Sequence, residues 1–341
     1  MELLRNIMQD FRITAEDVTG IEEQLFFDGP NRRIDIERFG MLMFFAISIA
    51  AFGLMADSAA TVIGAMLIAP LMTPILATAA AVVTGQMSRA AQSLLVTMGG
   101  VLGAIGLAWL IGAIFGSNAI VIDTNQQIAS RTAPRLIDLF AALTAGAVGA
   151  FAVSRKDIAN TLPGAAIAIA LAPPLGVVGL TLAQGAWVQT LGALLLFLTN
   201  FFAILVAGSA MLALLGMSAA ATSQLYGQAR RRAIWLIAGG TLLVVIPLAM
   251  TSYTVTITTQ MQQETTALAR RWVAETDYQV ESVVAALDSI LITVSGEGEP
   301  PPPAELVNTL DMRFQREITV QVKVIPARQF EFSTLPARAS R

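Results

Sequence analysis

The sequence predicts an all-α polytopic membrane protein of about seven transmembrane helices, built as a 3+3 inverted repeat, with a small C-terminal α/β domain. Three observations predict it. The 341 residues are 55% hydrophobic and 13% charged, whereas an ordinary soluble domain carries about 25% charged residues. Charge is missing over long runs, and from Ile158 to Ala229 there is no Asp, Glu, Lys or Arg. Residues 57–74, DSAATVIGAMLIAPLMTP, also resemble residues 157–174, DIANTLPGAAIAIALAPP.

Residues 1–39 read as a polar, cytoplasmic N-terminal segment. Glu2, Asp10, Glu16, Asp17, Glu22 and Glu23 deny it the basic start and apolar core of a signal peptide, so it is expected to be retained. Thr14-Ala15-Glu16-Asp17 has the form of a capping box, with Thr14 as N-cap. The helix it opens runs to about Phe27 and is stopped by Gly29-Pro30.

Residues 40–253 form the transmembrane domain. A span needs about 20 apolar residues, and the uncharged runs place spans at 40–56, 59–84, 90–116, 134–153, 160–184, 188–216 and 233–253. Helices are expected because a backbone in hydrocarbon must satisfy its own hydrogen bonds. The alternation of a barrel strand is not seen.

Lys and Arg set the orientation. Arg5, Arg12, Arg32, Arg33, Arg38, Arg89, Arg155, Lys156 and Arg230 to Arg232 collect on one side, against Arg131 and Arg135 on the other. The N-terminus is therefore expected inside and the C-terminal domain outside, in the cytoplasmic (inner) membrane of a prokaryote. Trp187, Trp235 and Tyr253 fall near span ends, where amphipathic rings sit well.

Residues 254–341 are the extracytoplasmic α/β domain and tail. Ile318, Val320, Val322 and Val324 alternate with polar residues, as a half-buried strand does, and Ile290, Ile292 and Val294 suggest another. Between them Pro300 to Pro303 stop the chain, and Leu306, Leu310 and Phe314 share one helical face.

Composition excludes several chemistries. There is no His and no Cys, which removes disulfides, zinc-finger and haem ligation, Cys nucleophiles and a Ser-His-Asp triad. No catalytic residue, metal site or cofactor is expected, and the chain is not expected to be an enzyme. A net charge of −3 argues against nucleic acid as a partner.

The repeat supplies the candidate functional residues. At an interval of 100 the two segments share Asp57/Asp157, Ala59/Ala159, Thr61/Thr161, Gly64/Gly164, Ala65/Ala165, Leu71/Leu171 and Pro74/Pro174. An interval of 103 instead aligns Ile68-Ala69-Pro70 with Leu171-Ala172-Pro173, and both registers stay open at this point. The copies are 40–116 and 134–216, with 233–253 as an added helix. An odd number of spans per copy inverts the second copy in the membrane, a plan common in transporters, whose sites sit where helices are interrupted near midplane.

The interruptions are expected at Pro70 and Pro74 in one copy and Pro173-Pro174 in the other, because a proline within a helix removes a hydrogen bond and displaces a carbonyl. Pro70, Thr73, Pro74, Pro173, Pro174 and Asn200 are the candidate solute-contacting residues. Asp57, Ser58, Asp157 and Asn160 are the candidate pathway entrance. Beside these stand plainer readings: kinks that shape packing, interfacial carboxylates, and an Asn200 amide bonded to a neighbouring helix. Gly99, Gly103, Gly112 and Gly116 in the third span allow close helix approach, within the chain or to a second copy in a homo-oligomer. Asp138, a turn into the fourth span, is placed to pair with Arg135.

The stretch from Asp57 to Pro74, followed by Ala170-Leu171-Ala172-Pro173-Pro174-Leu175-Gly176, resembles the hydrophobic family catalogued as domain of unknown function 389. The resemblance covers about residues 35–220. It implies a multi-pass prokaryotic membrane protein and brings no activity, substrate or catalytic residue with it.

Two functional expectations follow. One is a pathway through the bilayer for an ion or small polar solute, at paired interrupted helices. The other is a membrane-embedded sensor or assembly scaffold. No ionisable residue falls at the centre of any expected span, which speaks against proton coupling through buried carboxylates.

Overall fold

The computed structural model describes residues 13–119, 125–155, 171–217, 227–274, 276–286, 288–296, 300–314 and 318–326. The chain divides into two compact units, Met1–Ser252 and Tyr253–Arg341.

In the first unit α1 (Ala15–Leu25) begins as expected: Thr14 accepts from the Asp17 N–H, and Asp17 reaches back to the Thr14 N–H. Then follow α2 (Arg32–Met55), α3 (Ala59–Ile68), α4 (Met72–Thr84), α5 (Met87–Ala119), α6 (Gln126–Thr132), α7 (Leu136–Val153), α8 (Ala172–Ala183) and α9 (Trp187–Leu214). The long helix α10 (Gly227–Trp272) runs on past the end of this unit.

Among the described residues α2, α5, α7 and α9 are long and apolar enough to cross a membrane. The pair α3 and α4, bent by 46° at its break, would make a fifth span, and α8 is a shorter apolar helix. These helices carry the surface of a membrane protein. Leu95, Leu102, Ile137, Phe140 and Val188 are each more than three-fifths exposed, on faces that hydrocarbon covers without penalty and water does not. Their opposite faces pack the core, where Ile47, Leu71, Ile75, Leu76, Leu171, Leu175, Phe197 and Ile204 are almost fully buried.

The elements differ from the sequence expectation in two respects, the start of the first span and the extent of the last. The first apolar helix starts at Arg32, a turn and more before residue 40, because the charged stretch to Arg38 continues the same helix. The expected 59–84 span is interrupted as the sequence predicts, at residues 69–71. The expected 233–253 span lies inside a 46-residue helix that does not stop at 253. Of the expected 160–184 span, residues before 171 lie outside the described residues.

The helices α4 and α5 form a hairpin, and α8 and α9 form another. Both turn on a left-handed glycine, Gly85 at φ +79° and Gly185 at φ +69°, a conformation that costs glycine nothing. The bonding matches position for position, 100 residues apart. Gly85 N–H donates to Val82 O and Gly185 N–H to Leu182 O. Gln86 N–H donates to Ala81 O and Ala186 N–H to Thr181 O. Met87 N–H donates to Gly85 O and Trp187 N–H to Gly185 O. The helix starts match too, with Leu71 and Leu171 as N-caps. Each inner helix packs on both outer ones: α4 on α5 and α9, α8 on α9 and α5.

The second unit adds a three-stranded sheet to the end of α10. β1 (Gln279–Ala285), β2 (Ser289–Gly296) and β3 (Thr319–Pro326) lie in that order, with α11 (Pro303–Phe314) crossing between β2 and β3. β1 and β2 are antiparallel and β2 and β3 parallel, with Ile292 opposite Val283 and Val322. Ile290, Ile292 and Val294 face a core shared with Leu306, Leu310, Met261, Ala269 and Val273. The expected strand–helix–strand is present, and β1 is an added strand: its sequence, QVESVVA, lacks the alternation that marks the other two.

Candidate functional site

The break between α3 and α4 lies at Ala69 to Leu71. Ser58 caps the start of α3, accepting from the Thr61 N–H at 3.4 Å, and its hydroxyl meets that of Thr61 at 2.9 Å. At the far end Ala69 is extended and closes the helix by donating to Ala65 O. Pro70, half-buried, has no N–H to continue the ladder, and its carbonyl accepts from the Thr73 N–H at 3.3 Å.

The other prolines act differently from the sequence expectation. Pro74 is the third residue of α4, and Pro173 and Pro174 lie in the first turn of α8. First-turn N–H groups have no intrahelical partner, so a proline there loses no bond. These three residues start helices and displace no carbonyl; of the four expected breaks only Pro70 lies in one. Pro74 O accepts from the Thr78 hydroxyl at 2.8 Å. All three are buried.

Asn200 is buried on α9. Most buried hydroxyls nearby turn back on their own helices: Thr181 to Val177 O, Thr190 to Ala186 O and Thr199 to Leu195 O. Asn200 and the starts of α4 and α8 belong to one group of helices, with α9 packed on both α4 and α8.

Asp57 and Ser58 sit at the α2–α3 turn. Asp57 takes the left-handed region, φ +50°, which a short polar side chain tolerates. Its Oδ1 accepts from the Gln127 N–H at 2.8 Å. Asn125 donates to Leu54 O at 2.7 Å and caps α6 by accepting from the Ile128 N–H at 2.9 Å. Together they fasten α6 over this turn. Arg131 on α6 is half-buried, and its desolvation holds the guanidinium below the ordinary arginine range. Asp138 caps α7 by accepting from the Arg135 backbone N–H at 2.7 Å, where a side-chain ion pair was expected. Asp157 and Asn160 lie outside the described residues.

A cluster unseen in the sequence sits at the opposite end of the helices. Arg89 meets Glu22 and Asp28, each at 2.8 Å, and lies 4.7 Å from the Phe26 ring centroid. Its only sequence signal is the polar face of the amphipathic helix α1. Among the described residues no three acidic side chains converge as a metal site would need.

The comparisons bear on this same group of helices. Residues 66–206 match the family described as domain of unknown function, DUF389. The resemblance read from the GAMLIAPLMTP and ALAPPLG stretches is thereby shown. The DUF389 match covers the α3–α4 break, both hairpins and most of α9. An uncharacterised protein of Methanocaldococcus jannaschii is 33% identical over 171 residues, which is 50% of this chain and 52% of that protein. The chain thus spans about half the length of the curated relative it matches. No solved structure matches the chain.

Proposed function

We propose that this protein is a transporter or channel for an ion or small polar solute, built in the cytoplasmic membrane as a 3+3 inverted repeat. In this reading seven helices span, with the N-terminus inside and the C-terminal unit outside. The copies are α2 to α5 and α7 to α9, and α10 supplies the seventh span. The solute meets the starts of α4 and α8, with Asn200 between neighbouring helices.

The observation that carries the reading is the 100-residue correspondence of the two hairpins. It favours the interval of 100 over 103, and it is accompanied by an exchange of packing partners, since α4 lies on α9 as α8 lies on α5. A two-fold relation between inverted copies produces that exchange. Half-helices that begin inside a bilayer then turn the positive ends of their helix dipoles toward a solute. The test is uptake into liposomes holding the purified protein, guided by thermal stabilisation with ions, amino acids and organic acids. A ligand of the folded state adds about 2.7 kcal/mol at a hundredfold excess over its Kd. Uptake lost in Asn200→Leu, with folding retained, supports the reading; no uptake of any solute that stabilises the protein contradicts it.

A second reading, a sensor or scaffold, draws on α10, which is unbroken from Gly227 to Trp272 and belongs to both units. Deleting 257–341 separates the two. A transporter keeps its flux, and a scaffold loses its partner.

A further inference from the structure

The two hairpins correspond in backbone and differ in what holds them. The α4–α5 turn is fastened by charge. Gln86 donates to Glu22 Oε1 at 2.7 Å, and Arg89 binds Glu22 Oε2 and Asp28 Oδ2, each at 2.8 Å. Arg89 and Glu22 are only 32% and 23% exposed, so their attraction is less screened than at an open surface. Around this cluster α1 buries Val18, Ile21 and Leu25 in the main core. Just ahead of α1 the Ile13 N–H donates to Leu215 O, just past the end of α9. The helix α1 is thus tied at once to the end of α4, the start of α5 and the end of α9.

Among the described residues the α8–α9 turn has no ion pair: Gln184 Nε2 donates to Gly116 O at 3.3 Å, and the Thr181 and Thr190 hydroxyls meet at 2.9 Å. Residues 158–229 contain no charged side chain, and Gln189 stands where the first copy has Arg89. The α4–α5 turn is fixed by an ionic hub, and among the described residues its counterpart carries uncharged hydrogen bonds.

We propose that α1 is an electrostatic latch that closes one end of the molecule by pinning the α4–α5 turn, and with it the end of α4, through Gln86 and Arg89. Removing the hub frees α1 and opens the buried flank of α4 to water from that end, while α8 is unaffected. The inference rests on the transport reading only for what lies behind the latch.

The chain has no cysteine, so a single introduced thiol reports access directly. Val83→Cys on α4 and Val177→Cys on α8 replace residues that are nearly or fully buried. Each is treated with a membrane-impermeant thiol reagent in proteoliposomes, with and without Arg89→Gln. Labelling at 83 is expected to rise at least tenfold with Arg89→Gln and to stay unchanged at 177. Glu22→Gln with Asp28→Asn, which keeps the arginine, is expected to act the same way and guards against a folding defect of one variant. Equal labelling at 83 with and without the hub overturns the latch, as does a parallel rise at 83 and 177. If labelling rises as expected and no solute crosses, the latch stands and the transport reading fails.

Discussion

Gly179 on α8 lies so close to Ala108 on α5 that a Cβ added to the glycine would fall 2.5 Å from that of the alanine. The same position would be 2.6 Å from both Ile105 O and Trp109 N. One hundred residues away the roles exchange: Ala79 on α4 faces Gly208 on α9, where an added Cβ would meet Leu76 Cδ2 at 2.8 Å and the Ala79 Cβ at 3.7 Å. Helices in a bilayer gain little from burying apolar surface against each other, so close backbone approach at small residues supplies much of their attraction. The two contacts join α8 to α5 and α4 to α9.

The glycines are not equally replaceable. Gly179→Ala drives a methyl into backbone atoms that cannot move alone, and it is expected to cost about 1–3 kcal/mol. Gly208→Ala meets the far end of a leucine side chain, which can turn away, and is expected to cost about 1 kcal/mol or less. Thermal unfolding of both variants in one detergent checks the order.

Asp57 is expected to matter as a cap rather than as a charge. Asp57→Asn keeps an acceptor for the Gln127 N–H and tolerates the left-handed backbone, so stability changes by less than about 0.5 kcal/mol. Asp57→Ala loses both and costs about 1–2 kcal/mol. If Asp57 serves as a cation entrance, Asp57→Asn lowers flux at unchanged stability. Melting and uptake measured on the same preparations separate the two roles.

Pro74→Ala and Pro174→Ala are expected to be mild. Each proline occupies a first turn, so replacing it restores no hydrogen bond and frees only the unfolded chain, at about 0.4–1 kcal/mol. A gain of stability well beyond about 1 kcal/mol, as from a restored hydrogen bond, would show that these residues interrupt a helix after all.

Much of this was legible in the sequence, for identifiable reasons. Uncharged runs found the apolar helices, the Thr14–Asp17 pair found the start of α1, and alternation found β2 and β3. The proline roles were not legible, because a proline that starts a helix and one that breaks it look alike until the helix ends are known. The interval was ambiguous because alanine-rich segments match in several registers; the turns at Gly85 and Gly185, which correspond at 100, are visible only in the backbone. The Arg89 hub was hidden because its partner Glu22 lies 67 residues away. β1 was hidden because Glu281 falls in a bulge between Val280 and Ser282, which breaks the period of two.

The C-terminal unit is expected to weaken in acid. Arg313 donates to both Glu264 oxygens at 2.7 and 2.8 Å. Its hydrogen bond holds that carboxyl below its ordinary value of 4.5, against a smaller opposing effect of burial. A lowered folded-state pKa means that the stabilisation is complete above the ordinary value and is lost as pH falls through the lower one. Unfolding followed by Trp272 fluorescence, with Trp109, Trp187 and Trp235 replaced by Phe, should separate the parent from Glu264→Gln at pH 7. The difference should vanish well below pH 4.5.

The inverted repeat itself is tested most directly by asking on which side each hairpin turns. Gln86→Cys and Ala186→Cys place single thiols at corresponding positions of the two turns, in a chain that has no other cysteine. Intact cells and inside-out vesicles are labelled with a membrane-impermeant thiol reagent. The account predicts opposite sides, with residue 86 reached from the cytoplasm and residue 186 from outside. Labelling of both from the same side would mean that the copies are not inverted, and the proposed pathway between them would fall with the repeat.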